Sequence, residues 1–176
     1  MPMRSSPVLA GWLAAASILV AAPAAAQAED GPDLQPATQA AIVAGARACL
    51  GTTVDPESQD ARLTGWLRAT ADQRKGMDAE DDVRFRDKVM LVFKTGKDGG
   101  CVVMASPDAG FAPATFYSQI SAIVGATVEP ASAPTPITLP NGELLVPVLS
   151  PKTDTAAAKI ILVFANSAGQ YAKKGN

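Results

Sequence analysis

Hydrophobic residues near the start of this chain recur with helical spacing. Ile42, Ala46, Cys49 and Leu50 lie at positions i, i+4, i+7 and i+8, and Gly51 ends the pattern. This spacing places the four side chains on one face of a helix, and glycine is common just beyond a helix end. The sequence therefore predicts a first helix with one buried face, and Cys49 lies on that face.

Two further helices are indicated by the same kind of spacing. A short second helix is predicted at residues 61–71, and its apolar side would be formed by Leu63, Trp66 and Leu67. A third helix is predicted to begin at Pro113, since proline suits the first turn of a helix, and to end before Gly125. Its apolar residues lie on one face, as expected of a helix that packs on a sheet: Phe116, Ile120, Ile123 and Val124.

The stretch from Val83 to Ala105 contains two apolar runs separated by a glycine-rich segment. The first run, residues 83–94, has hydrophobic side chains at both odd and even positions, which is typical of a strand inside a sheet. The segment 95–100 is a turn signal, and the second run opens with Cys101. The sequence predicts an antiparallel hairpin with a long loop.

The last third of the chain predicts further strands. Asn141-Gly142 is a strong turn signal, and it joins the apolar runs 137–139 and 144–149 into a second hairpin. Residues 159–165 form another apolar run of strand length. A short last strand is predicted at residues 170–172.

The order of these elements predicts the fold class. Two helices, two strands, one helix and then two to four strands indicate an α+β domain. We expect an antiparallel sheet of about five strands with helices packed on it. The N-terminal helix would be clamped to the sheet by one disulfide. Residues 29–176 would form a single domain, because a chain of that length fits one domain.

The first 28 residues have the layout of a secretory signal peptide. Arg4 supplies a positive charge, residues 8–20 are apolar, and small residues lead up to Ala28. We expect cleavage after Ala28, and the alternative is an uncleaved membrane anchor. The protein would then be periplasmic or secreted, from a bacterial source, with no segment inserted in a membrane after cleavage.

Cys49 and Cys101 are the two cysteines of the chain. In an exported protein a pair of cysteines is most simply a structural disulfide. A redox or nucleophilic pair would need a Cys-x-x-Cys spacing or a base that activates the thiol. The chain has neither that spacing nor any histidine, so the disulfide is favoured.

Composition and motifs disfavour several kinds of site. The absence of histidine removes the Ser-His-Asp and Cys-His arrangements and the histidine zinc sites. There is no phosphate-binding loop, dinucleotide fingerprint or nucleophile elbow, so we expect no cofactor and no metal and assign no catalytic residue. A formal net charge of −2 without a long basic run disfavours nucleic acid as a partner.

Two classes of function remain. The first is a small exported, non-enzymatic binding or interaction module, whose partner would be another envelope protein or a small ligand. The second is a small periplasmic hydrolase that assembles carboxylate or Ser/Lys chemistry only in three dimensions. Trp66 is the one candidate ligand platform, although a large aromatic residue between two leucines is more often part of a core.

Overall fold

The fold is seen in a computed structural model, which describes residues 32, 34–74, 76–94, 99–131, 133–154 and 157–166. The predicted leader and the predicted strand at 170–172 lie outside these residues. The helices are α1 (Gln39–Cys49), α2 (Gln59–Arg62) and α3 (Pro113–Val124), with a 3-10 turn at Pro56–Ser58 before α2. The strands are β1 (Pro36–Ala37), β2 (Leu67–Arg68), β3 (Asp82–Arg86), β4 (Val89–Lys94), β5 (Gly100–Pro107), β6 (Ile137–Thr138), β7 (Glu143–Ser150) and β8 (Lys159–Asn166).

Seven of these strands lie in one sheet in the order β2-β3-β4-β5-β8-β7-β6. Neighbours along this order are antiparallel, and β1 adds a short parallel pair at the end of β5. The α+β class is confirmed, but the prediction of about five strands is too low. The strands β1 and β2 have two residues each, which is too short for alternation of hydrophobic and polar residues to reveal them.

The central strands are apolar on both faces, and each face has its own hydrophobic cluster. The face covered by α1 and α3 carries the main core, which includes Leu91, Val103 and Leu162 from three neighbouring strands. The opposite face carries a smaller cluster built on Met90 and Val92. The prediction of a strand with two buried faces is confirmed for β4, since all its residues except the last are buried.

The first predicted helix is α1. Its start is capped by Thr38, whose hydroxyl oxygen accepts a hydrogen bond from the Ala41 backbone N–H at 3.3 Å. Gly45 faces the sheet, and a Cβ atom there would lie 2.9 Å from Val103 and 3.0 Å from Val89. Glycine at this position therefore lets α1 approach the central strands closely.

A disulfide joins Cys49, the last residue of α1, to Cys101 in β5. Both residues are fully buried, and their pairing confirms the predicted disulfide. The predicted disulfide clamp is only one of two connections that hold the helix. The strand β1, which precedes α1, also pairs with Ser106–Pro107 at the far end of β5. The chain around α1 is therefore tied to β5 both before and at the end of the helix.

The prediction of a second helix at residues 61–71 is wrong. The chain forms only the 3-10 turn and the four-residue α2, and then turns at Gly65, whose φ is +81°. A left-handed glycine ends a helix rather than continuing it. Leu67 consequently lies in the edge strand β2 and is 73% exposed, whereas Trp66 is buried.

The prediction of a single strand at residues 83–94 is also wrong, because the run contains two strands. Asp87 and Lys88 have φ values of +49° and +67° and form the two-residue turn between β3 and β4. Two successive left-handed residues are the pattern of a type I′ hairpin turn, which Asn-Gly normally signals. Here the turn residues are aspartate and lysine, so the Asn-Gly signal is absent.

Lys88→Gly should stabilise the protein by about 0.5–1 kcal/mol, because glycine adopts the left-handed conformation without the steric cost that a Cβ atom brings. Urea unfolding measures this difference. Lys152→Gly is the matched control in an exposed loop, and it should bring no gain. A less stable Lys88→Gly protein would contradict the left-handed turn.

Candidate functional site

A cleft of about 440 Å³ opens at one end of the sheet. Its walls come from the loop after α1, from the 3-10 turn and α2, and from the ends of β3, β4, β5 and β8. The polar lining consists of Thr52, Thr53, Gln59, Asp82, Lys94 and Asn166. The volume lies within the range of roughly 300–1,000 Å³ that is usual for small-molecule sites.

The antiparallel topology explains why these strand ends meet. Gly100 at the start of β5 pairs with Lys94 at the end of β4 and with Ala165 at the end of β8. A Cβ atom at Gly100 would lie 2.8 Å from the Phe164 carbonyl oxygen, so glycine permits the close approach of the two strands. The sheet end therefore supplies one wall of the cleft from residues of three central strands.

Glu143 is a fully buried carboxylate that holds the loop wall of the cleft. Its Oε2 accepts hydrogen bonds from the Gly51 backbone N–H and from Asn141 Nδ2, both at 2.7 Å. Its Oε1 accepts from the Thr53 backbone N–H at 3.2 Å and from the Thr53 hydroxyl at 2.5 Å. A carboxylate has about four acceptor positions, so these donors occupy all of them.

The loop after α1 is held at several points. Glu143 binds Gly51 and Thr53, which lie about ninety residues before it in sequence. Arg62 Nη1 donates to the Leu50 carbonyl oxygen at 2.7 Å, and the disulfide fixes Cys49 just before the loop. This wall of the cleft is therefore built in advance of any ligand.

Asp82, at the start of β3, is a carboxylate of the described cleft lining, and it forms an ion pair. Arg84 donates to it from Nε at 3.0 Å and from Nη2 at 2.8 Å. Arg68 lies farther away, with 3.7 Å between its Nη1 and the carboxylate. The charge of Asp82 is thus compensated by a neighbour in the same strand.

Lys94, at the end of β4, is also paired. Its Nζ lies 3.1 Å from a carboxylate oxygen of Asp81 and 3.1 Å from one of Asp78. Hydrogen bonds to Asp81 and then Asp78 raise the pKa of Lys94 above its ordinary value of 10.5. Because the lysine side chain is about half exposed, these two ion pairs contribute little stability. They do hold the ammonium group beside the loop that contains Asp78 and Asp81.

The predicted site residues lie in different parts of the structure. The disulfide lies beside the cleft, because Cys101 follows Gly100 directly. Trp66 is 6% exposed, packs in the main core and does not line the cleft. The structure therefore does not bring the disulfide and the tryptophan together in one site.

Sequence reasoning missed Thr53 and Glu143, which shape the cleft. The available signal was the alternation of β7, since Glu143 is two residues before Leu145, and Leu145 is fully buried on the helix-covered face. Strand periodicity therefore puts the carboxylate on the buried side. Its position directly after the Asn141-Gly142 turn made it resemble an ordinary surface residue.

No protein-family model, curated protein or solved structure matches this chain. Within the described ranges, no three His, Cys, Asp or Glu side chains converge in a group that could hold a metal ion. In the same part of the chain, none of the helices combines the length and hydropathy needed to cross a bilayer.

Proposed function

We propose that this protein is a small exported, non-enzymatic binding module that holds a small polar ligand in the cleft. The observation that carries the proposal is a cleft of about 440 Å³ whose loop wall is fixed by a buried carboxylate. A site that is already ordered loses less conformational entropy when a ligand binds. A concave, preformed site suits a small ligand better than the flat surface of another envelope protein.

Export is supported by two independent features. The leader-like composition of residues 1–28 is typical of a secretory signal. The buried disulfide between Cys49 and Cys101 is a bond that persists in oxidising compartments and is rare in the cytosol. Both features favour a location in the periplasm or outside the cell.

The alternative function, a hydrolase, is less well supported by the groups at the cleft. A general acid or base must reach the reacting group with a free proton or lone pair. Glu143 already accepts four hydrogen bonds, and Asp82 is bound by Arg84. The described lining contains no serine that could pair with Lys94. These contacts favour binding over carboxylate or Ser/Lys chemistry.

A blocking substitution tests the binding function. Gln59→Trp introduces an indole ring into the cleft lining, and Ala122→Trp introduces the same ring on the exposed side of α3 as a matched control. The purified proteins are titrated with a panel of sugars, amines, carboxylates and phosphates while amide NMR spectra are recorded. We expect a saturable shift of the Thr52 and Gly100 amides that Gln59→Trp abolishes and Ala122→Trp preserves.

Two results would contradict the proposed function. The first is the absence of any saturable shift at the cleft across the whole panel. The second is turnover of a panel compound that depends on Asp82, since this would make the cleft an active site. In either case the binding module would be the wrong description of the protein.

A further inference from the structure

The hydroxyl groups in the loop wall have a fixed hydrogen-bonding role. The Thr53 hydroxyl donates its hydrogen to Glu143 Oε1 at 2.5 Å, and the Thr52 hydroxyl donates to the Cys49 carbonyl oxygen at 2.7 Å. A hydroxyl carries one hydrogen and two lone pairs. Since both hydrogens are used inside the protein, the two oxygens have only lone pairs left for a ligand.

Nearby charged groups also favour a ligand that donates hydrogen bonds. Asp82 contributes a carboxylate, which cannot donate when ionised, although Arg84 occupies much of its accepting capacity. Two described cations at this end of the sheet are engaged: Arg84 binds Asp82, and Lys94 binds Asp78 and Asp81. The positive charges of these two residues are therefore held on protein carboxylates.

Gln59, in the wall formed by α2, accommodates either kind of ligand group. Its side-chain amide carries both a donor group and an acceptor oxygen. The loop wall distinguishes donor groups from acceptor groups of a ligand, because two acceptors that face each other both stay without a hydrogen-bond partner. The threonine oxygens are therefore the selective element of the cleft.

We propose that the natural ligand presents hydrogen-bond donors, as a hydroxyl or a protonated amine, to the wall formed by Thr52 and Thr53, and that anionic groups without a donor, such as carboxylates and sulfates, are disfavoured there. This inference rests on the proposed binding function and names the chemical class of ligand for the same cleft. Thr53 is the specificity-determining residue. Glu143 is a positioning residue that acts through it, because it orients the Thr53 hydroxyl.

The test uses three probes: trehalose as a hydroxyl-rich neutral molecule, ethanolamine as a protonated amine, and sulfate as an anion without a donor group. Each is titrated into the purified protein at neutral pH while the amide NMR signals of Thr52, Thr53 and Gly100 are followed. We expect saturable shifts with at least one of the two donor probes and a weaker response to sulfate. The comparison of trehalose with ethanolamine decides which donor group the cleft takes.

Two variants connect the response to the threonine oxygen. Thr53→Val has a similar shape but lacks the oxygen, and it should weaken binding of the donor probe about ten-fold. Thr53→Ser keeps both the oxygen and the hydrogen bond to Glu143, and its affinity should remain within about two-fold of the original. The serine variant keeps the test valid if the valine variant folds poorly.

The outcomes separate this inference from the binding function beneath it. If sulfate, or any panel compound without a hydroxyl or amine group, binds the cleft more tightly than both donor probes, the inference fails and the binding function stands. Equal affinities of all three Thr53 forms for the donor probe also overturn the inference alone. If no panel compound binds the cleft, both proposals fail.

Discussion

Glu143→Gln should lower the free energy of unfolding by about 2–4 kcal/mol. The substitution keeps the shape of the side chain but replaces one acceptor oxygen with an NH₂ group. Each carboxylate oxygen receives two donors, one of them a backbone N–H, so either orientation of the new amide leaves at least that backbone N–H facing another donor. A buried donor without a partner costs about 1–3 kcal/mol. Urea unfolding followed by the fluorescence of Trp66 measures the loss.

The matched control for this prediction is Glu129→Gln. Glu129 is exposed, and the same chemical change there should alter stability by no more than about 0.5 kcal/mol. Equal effects of the two substitutions, or no loss in Glu143→Gln, would show that the buried carboxylate does not fix the loop wall. A loss confined to Glu143→Gln supports the hydrogen-bond network.

Removal of the disulfide through Cys49→Ala and Cys101→Ala together should cost about 4 kcal/mol. The two cysteines are 52 residues apart in sequence, and the chain-entropy model gives a stabilisation of this size for a loop of that length. Alanine is the suitable replacement because both positions are fully buried, where a serine hydroxyl would need a new partner. Equilibrium unfolding in urea measures the difference.

The parent protein with its disulfide intact is the reference for this double variant, and a far-UV spectrum confirms that the variant remains folded. A loss below about 1 kcal/mol would mean that the pairing of β1 with β5 and the packing of α1 hold the helix without the disulfide. The loss should exceed that of Glu143→Gln if the bridge is the stronger of the two connections to the loop wall.

The helices that bury one face could be predicted from the sequence, but the irregular region between α1 and β3 could not. In α1 and α3 the hydrophobic spacing, the terminal Gly125 and the packing on a sheet all agree. At residues 61–71 the helical spacing of hydrophobic residues is misleading, because Gly65 adopts a left-handed conformation and reverses the chain. Hydrophobic spacing alone does not reveal the left-handed backbone conformation of Gly65.

The strand count was underestimated for a similar reason. Asp87 and Lys88 adopt left-handed conformations that these residue types do not signal strongly, so one apolar run concealed two strands. The hairpin at Asn141-Gly142, in contrast, was predicted because its turn residues favour those conformations. Turn chemistry therefore decided which hairpins could be predicted.

The disulfide could be predicted from composition, whereas the cleft could not. Two cysteines in an exported chain leave a single internal pairing, so no geometry is needed. The cleft joins Thr53 to Glu143 across ninety residues, and only the packing of β7 against the loop after α1 brings them together. Long-range polar contacts of this kind leave no local pattern in a sequence.

Amide hydrogen exchange is the most direct test of a preformed cleft. If Glu143 holds the loop wall, the Gly51 and Thr53 amides should exchange about as slowly as Leu162 in the central strand β8. Glu143→Gln should accelerate exchange at Gly51 and Thr53 far more than at Leu162. Exchange of Gly51 and Thr53 in the unmodified protein at the rate of an unstructured peptide would contradict a preformed binding site.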